Sequence, residues 1–147
     1  MAPQFTDTKP AAILETELKE LIIQSRKFSQ KLKSVARDCH VDIHQERKAT
    51  RQVLQLILQK WIIEIIHILF IEETQRFNDL KRNLRGISSR TLTSKLRSLE
   101  DAGFVERKLT GERPTIVEYT LTERGQILAE LSTPIICHLK LECTSDR

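Results

Sequence analysis

Glycine is missing from the first 85 residues. All four glycines (Gly86, Gly103, Gly111 and Gly125) lie between positions 86 and 125, and proline before that point is confined to Pro3 and Pro10. Long helices are expected in the first half and short elements joined by tight turns in the second. Cysteine is nearly as scarce. Cys39, Cys137 and Cys143 are odd in number, widely spaced and without a C-x-x-C pair, which excludes a disulfide framework and zinc-finger spacing and fits a reduced setting. No long apolar run exists either. The most apolar stretch, residues 53–71, is interrupted by Gln55, Gln59, Lys60, Glu64 and His67, too often for a membrane span. Residues 1–8 lack a basic region followed by an apolar one, so no signal peptide is expected. These absences together suggest a cytoplasmic chain with no membrane partner.

Catalytic signatures are absent as well. There is no glycine-rich phosphate loop, no G-x-S-x-G and no H-E-x-x-H, and the four histidines and three cysteines are scattered without a recognisable nucleophile and base. The chain is read as no enzyme, with no cofactor. His40 and His44 stand four apart, with Cys39 and Asp42 nearby. That falls short of the convergent ligand set a metal needs, so no metal site is expected.

The 147 residues, 39% hydrophobic and 30% charged, suit one domain with an appendage. The net charge of +4 is unevenly placed. Residues 75–115 hold ten Lys or Arg against five acids, net +5, while the remainder sums to −1. A local basic surface points to a polyanion partner, because phosphate contacts release counterions, although a solvated charged face has the same count.

Along residues 14–39 an apolar seam runs through Leu14, Leu18, Leu21, Ser25, Phe28, Leu32, Val35 and Cys39 in alternating steps of four and three. This heptad pattern predicts a long helix packing along one narrow stripe, against a second subunit or against the chain's own body. Cys39 on that seam is expected to be a buried small hydrophobe. Residues 40–46 blur the pattern. A second helix is expected over about 47–58. A third, over about 59–71, is apolar nearly all round and should centre the core, with Trp61 as a core anchor and His67 as a core or interface histidine. Residues 75–84 form one helical face through Phe77, Leu80 and Leu84. Arg85-Gly86 reads as a turn. Residues 87–102 form a helix with Leu92, Leu96 and Leu99 inward, Ser88 as N-cap and Gly103 as the left-handed residue beyond its end. Strands over 104–109 and 116–121 flank a turn at 110–114, and a closing helix over about 122–141 contains Pro134.

The order helix, helix, tight turn, helix, strand, basic turn, strand predicts a mainly α fold with a small β-hairpin. Specifically, it is that of a winged helix-turn-helix with a long N-terminal helix and a C-terminal helix, dimeric. Three regions are expected: 1–45 as a helical extension for dimerisation, 46–131 as the DNA-binding domain and 132–147 as a helix end and tail with a dimer contact. The second helix of the motif presents Ser89, Arg90, Thr93, Ser94 and Arg97, with Lys95 at the flank and no acid before Glu100. Short hydroxyls allow close approach to bases and phosphates, and arginine can pair with guanine through two hydrogen bonds. Double-stranded DNA is the expected partner. A protein-interaction module and a non-specific architectural DNA binder are the two alternatives, and the sequence identifies no small-molecule effector.

Residues 60–131 also resemble the HxlR family of bacterial and archaeal winged-helix regulators. The resemblance is carried by Lys60-Trp61, by residues 76–80 (RFNDL), by 86–93 (GISSRTLT) with Leu96-Arg97 and Leu99-Glu100, by 103–107 (GFVER), by 117–122 (VEYTLT) and by Gly125. It implies a homodimer joined through flanking helices; with the heptad seam this makes Leu14, Leu18, Leu21, Phe28, Leu32, Val35 and Ile135 candidate interface residues, although the N-terminal 45 residues exceed what the family usually has and the resemblance does not explain them. It further implies that residues 88–95, including Ser88 and Thr91, enter the groove, and that the hairpin between Lys108 and Arg113 is the wing. Arg76 would touch phosphate at the start of the preceding helix. Two departures stand out. Leu58-Gln59 replace the glycines frequent before the Lys-Trp pair, so the preceding helix is expected to run straight into the core helix. The region around Lys48 and Ala49 holds no cysteine, so the thiol switch of some members is not carried over.

Overall fold

The computed structural model of the chain describes residues 8–39, 42–111 and 114–145. They form helices α1 (Thr8–Asp38), α2 (Ile43–Ile57) and α3 (Ile62–Glu72), strand β1 (Thr74–Arg76), helices α4 (Phe77–Asn83) and α5 (Ser89–Asp101), strands β2 (Val105–Thr110) and β3 (Ile116–Leu121), and helix α6 (Glu123–Ser145). The chain divides into two compact units, Met1–Lys48 with Pro134–Arg147, and Ala49–Thr133. No single helix among the described residues is long and apolar enough to cross a membrane.

The second unit holds the core. Ile62, Ile65, Ile66 and Leu69 of α3 are essentially inaccessible and meet Leu80 and Leu84 of the α4 region, Ile87, and Leu92, Leu96 and Leu99 of α5. Phe104, Val105, Tyr119 and Ala129 complete the cluster. The three leucines of α5 recur every three to four residues, so one stripe is buried and the opposite side is left to solvent. Each of these large side chains removed from water contributes about 1.5–3 kcal/mol, which fixes the orientation of α5.

Sheet and helix boundaries depart from the sequence reading at both ends of α3. The helix expected over 75–84 begins instead as strand β1, which pairs antiparallel with β3 through Thr74↔Thr120, Gln75↔Tyr119 and Arg76↔Glu118. The hairpin is therefore part of a three-stranded sheet, ordered β1-β3-β2. At the other end, α2 does not run into the core helix. It stops at Ile57, and Trp61 precedes α3 with φ of 78° in the left-handed region. Glu73, just past α3, has φ of 61°. These are the non-glycine residues with positive φ among the described residues. Each costs of order 1–3 kcal/mol, sustained by the surrounding packing. Trp61 packs against the core, half-buried, with Lys60 Nζ 4.7 Å from its ring centroid.

A set of short contacts ties α6 to the corner between α5 and β2. Gly103 (φ +73°) turns the chain out of α5. Thr122 Oγ1 donates to the Gly103 carbonyl at 2.6 Å and accepts from Gly125 N–H at 3.1 Å, capping α6. Thr122 N–H donates to the Phe104 carbonyl at 3.1 Å. Gly125 passes so close to that carbonyl that an added Cβ would lie 2.0 Å from its oxygen. Arg124 stacks on the Phe104 ring at 4.7 Å.

The first unit is thinner. Of its described residues only Leu18 is buried, with Ile22 and Ala36 half-buried on α1. Cys39, expected inside, is exposed. The seam is continuous in sequence, yet Leu18 is buried while Leu14, Leu21 and Phe28 face solvent. Residues 40–41 lie outside the described region, which includes His40. Asp42 Oδ1 accepts from His44 N–H at 2.9 Å, opening α2.

Candidate nucleic-acid interface

Helix α4, the turn through Leu84 and Gly86, and helix α5 form the helix-turn-helix. Leu84 N–H closes on the Leu80 carbonyl and Ile87 N–H on the Leu84 carbonyl. Gly86 adopts φ of +92°, which a side chain would resist. Ser88 then caps α5 as the sequence predicts: its Oγ accepts from Thr91 N–H at 3.1 Å. The same Oγ lies 2.8 Å from Thr91 Oγ1. Ser88 and Thr91, both expected in the groove, are thus first of all the pair that starts the helix.

The outward face of α5 carries Ser89, Arg90, Thr93, Ser94 and Arg97, all exposed, around a shallow hollow that Ser98 and Asp101 also line. Thr93 Oγ1 donates to the Ser89 carbonyl and Ser98 Oγ to the Ser94 carbonyl, so both hydroxyls lie along the helix and keep lone pairs free. Among the described residues, neither Arg90 nor Arg97 has a carboxylate partner. Two unpaired guanidinium groups beside small side chains leave a cationic surface that a polyanion can approach closely. Lys95 differs. It is half-buried, and its Nζ donates to Gln59 Oε1 at 2.7 Å, across to the turn before α3.

The wing is the β2–β3 hairpin. Its register runs from Val105↔Leu121 to Thr110↔Ile116, with Gly111 at φ +84° beyond it. One face of the sheet is polar, and Glu118 is its centre. Arg76 Nε lies 3.7 Å from Glu118 Oε1, and Thr110 Oγ1 donates to Glu118 Oε2 at 3.2 Å. Lys108 stands opposite Glu118 in register but pairs with Glu106 at 3.4 Å. Arg76 and Lys108 therefore carry carboxylate partners. Such exposed pairs are worth only about 0–1 kcal/mol, so exchange for a phosphate costs little. Arg113 lies outside the described residues. Sequence reasoning missed Glu118 and Gln59 because neither belongs to a basic motif. The alternation along 116–121 was the available signal for Glu118.

No group of three or more His, Cys, Asp or Glu side chains among the described residues is placed to hold a metal. His67 is half-buried, with Nε2 3.5 Å from Ser132 Oγ.

Comparison with known proteins agrees with this geometry. The family model for the HxlR-like helix-turn-helix matches residues 56–141. An HTH-type transcriptional regulator of Halalkalibacterium halodurans is 41% identical over 75 residues, 51% of this chain and 66% of that protein. The regulator YtfH of Escherichia coli is 35% identical over 85 residues, 58% of this chain and 67% of its own. Among solved structures, a MarR-family regulator from Enterococcus faecalis superposes with a TM-score of 0.59 at 33% identity, covering 72% of this chain and 92% of that one. An HxlR-family factor from Thermoplasma volcanium gives 0.56 at 32% identity, covering 63% and 82%. Residues 1–55 precede the matched region. The chain belongs to the HxlR-like family of winged helix-turn-helix transcriptional regulators, a family that regulates transcription by binding DNA.

Proposed function

We propose that the protein is a sequence-specific regulator that binds a near-palindromic operator as a homodimer. One α5 from each subunit would read a half-site in the major groove, the two centres lying about one helical turn or a multiple apart. The observation that carries this reading is the outward face of α5, where Arg90 and Arg97 stand free among Ser89, Thr93 and Ser94. Arg90, near the helix N-terminus, is the candidate base reader. Arg97, Arg76, Lys108 and Arg113 are candidate phosphate contacts. Ser88, Thr91 and Lys95 support these from their own bonds. Residues 46–131 serve as the DNA-binding domain, and the flanking segments supply the subunit contact. In support of the latter, α6 exposes Ile127, Leu131, Ile135 and Leu139 at successive turns, and α1 exposes Leu14, Leu21, Phe28, Leu32 and Val35.

The test is selection from a random duplex library at fixed, near-physiological salt, followed by sequencing of the bound fraction. A spaced inverted repeat is expected. Binding without enrichment would make the protein an architectural binder, and no binding would favour a protein-interaction module. Arg90→Ala is then expected to cost about 1–3 kcal/mol and to relax preference at one base pair of each half-site. An equal loss on every sequence would reassign Arg90 to phosphate.

A further inference from the structure

We infer that two copies of α1 pair antiparallel, forming a subunit seam of this chain's own outside the region that matches the family. The inference rests on the homodimer proposed above and adds which helix pairs and in which direction. Leu14, Leu21, Phe28, Leu32 and Val35 are between 45% and 70% exposed. They fall on one narrow stripe of a 31-residue helix. A stripe of this length at a 3.5-residue period fits another helix of the same period, and it is unfavourable in water without one.

Charge sets the direction. Residues 14–22 contain Glu15, Glu17, Lys19 and Glu20, net −2. Residues 23–39 contain Arg26, Lys27, Lys31, Lys33, Arg37 and Asp38, net +4. Parallel pairing would set +4 beside +4 and −2 beside −2. Antiparallel pairing sets residues 31–39, net +2, beside residues 14–22, net −2, at each end, and leaves like charge together only in the middle segment, residues 23–30, net +2. The centres of the halves lie roughly 19 Å apart at 1.5 Å rise per residue. That exceeds the Debye length of about 8 Å, so each half feels chiefly the half beside it.

The layers of the seam agree. An antiparallel register centred on the seam places Ser25 against the partner's Phe28, Leu21 against the partner's Leu32 and Leu14 against the partner's Cys39, while the partner's Val35 falls at the level of Leu18, which is already covered within its own chain. Every layer then holds at least one large apolar side chain. In the parallel register Ser25 would meet itself, a polar layer in an apolar seam. Two like-charge approaches remain, Glu17 near the partner's Asp38 at each end, where Arg37 adjoins, and Arg26 with Lys27 around the centre of the pair, on positions that point away from the seam.

Cys39 offers a test in the full chain. With Cys137→Ser and Cys143→Ser, Cys39 is left alone. In the antiparallel pair the two Cys39 thiols stand about 38 Å apart, beyond any disulfide. Mild oxidation should therefore give no covalent dimer, while sedimentation still reports a dimer. Adding Leu14→Cys should give a covalent dimer, and peptide mapping should join position 14 of one copy to Cys39 of the other. Should that variant fail to fold, Leu21→Cys with Leu32→Cys in a Cys39→Ser background should join position 21 to position 32 between copies. Bridges between identical positions would overturn the proposal in favour of parallel pairing. A dimer in sedimentation with no bridge in either variant would remove α1 from the interface and leave the homodimer standing. A monomer at all concentrations would remove the homodimer itself.

Discussion

Replacing Gly125 by alanine should destabilise the fold by about 1–3 kcal/mol, although alanine is the better helix former. The added Cβ would lie 2.0 Å from the Phe104 carbonyl oxygen, 3.0 Å from its carbon and 3.1 Å from Leu121 Cδ2. The first contact requires α6 or the Phe104 backbone to retreat by roughly 1 Å, an overpacking cost of about 1–3 kcal/mol. The retreat loads three bonds that share these atoms: Thr122 N–H to the Phe104 carbonyl, Thr122 Oγ1 to the Gly103 carbonyl, and Gly125 N–H to Thr122 Oγ1. Loss of the Thr122 cap adds about 1 kcal/mol. The gain from removing a helical glycine returns at most about 1 kcal/mol. Urea unfolding at matched protein concentration would measure the difference, since a dimer's stability depends on concentration. Gly103→Ala is the comparison. A Cβ added there would meet nothing within 4 Å, and only the φ of +73° opposes a side chain, at about 1–2 kcal/mol. Gly125→Ala should be the worse of the two. A Gly125→Ala protein as stable as the parent would refute the reasoning, because it would mean that α6 is not fastened at this corner.

Three further outcomes are expected. Ser88→Ala removes the oxygen that accepts from Thr91 N–H and should cost about 1 kcal/mol of stability by thermal melting, with Ser88→Gly milder. Glu73→Gly relieves a φ of 61° in a residue whose side chain is exposed and should stabilise the fold by about 0.5–1 kcal/mol, seen as a small rise in the melting midpoint, since the strain relieved exceeds the added chain entropy. Lys95→Ala removes a cation already bound to Gln59. Titrations over a range of salt should show its log–log slope changing far less than that of Arg97→Ala, for which about 0.9 per bound subunit is expected; equal changes would mean that Lys95 leaves Gln59 for phosphate.

Most of the winged helix was legible because its signals are local. Leu92, Leu96 and Leu99 declare the buried stripe of α5, Ser88 its start and Gly103 its end, and each of these does in the structure what its chemistry suggests. The exposed face followed by subtraction. What escaped was non-local. Thr74, Gln75 and Arg76 form a strand only because β3 offers an edge some 40 residues later, and three residues are too few to show alternation. The ties of Lys95 to Gln59 and of Arg76 to Glu118 span similar distances along the chain. No spacing rule in a single sequence signals such pairs.

The ends of α3 were illegible for a different reason, and it bears on how the site is held. Its residues are apolar on nearly every side, so periodicity carries no information about where it should begin or stop. Tertiary packing decides instead. Burying Ile62, Ile65, Ile66 and Leu69 stabilises by about 6–12 kcal/mol against about 2–6 kcal/mol of strain at Trp61 and Glu73, so the core can impose left-handed backbone on residues that would not choose it. Those two breaks do structural duty. The one at Glu73 frees the chain to add β1 to the wing, with Thr120 Oγ1 donating to the Glu73 carbonyl at 3.0 Å. The one at Trp61 turns Gln59 toward Lys95 on α5. The helix that contributes nothing to the proposed DNA-facing surface thus adjoins both parts of it: the wing at one end and α5 at the other. For this reason substitutions at the ends of α3, far from the arginines of α5, are where changes in the geometry of the whole proposed DNA-facing surface should originate.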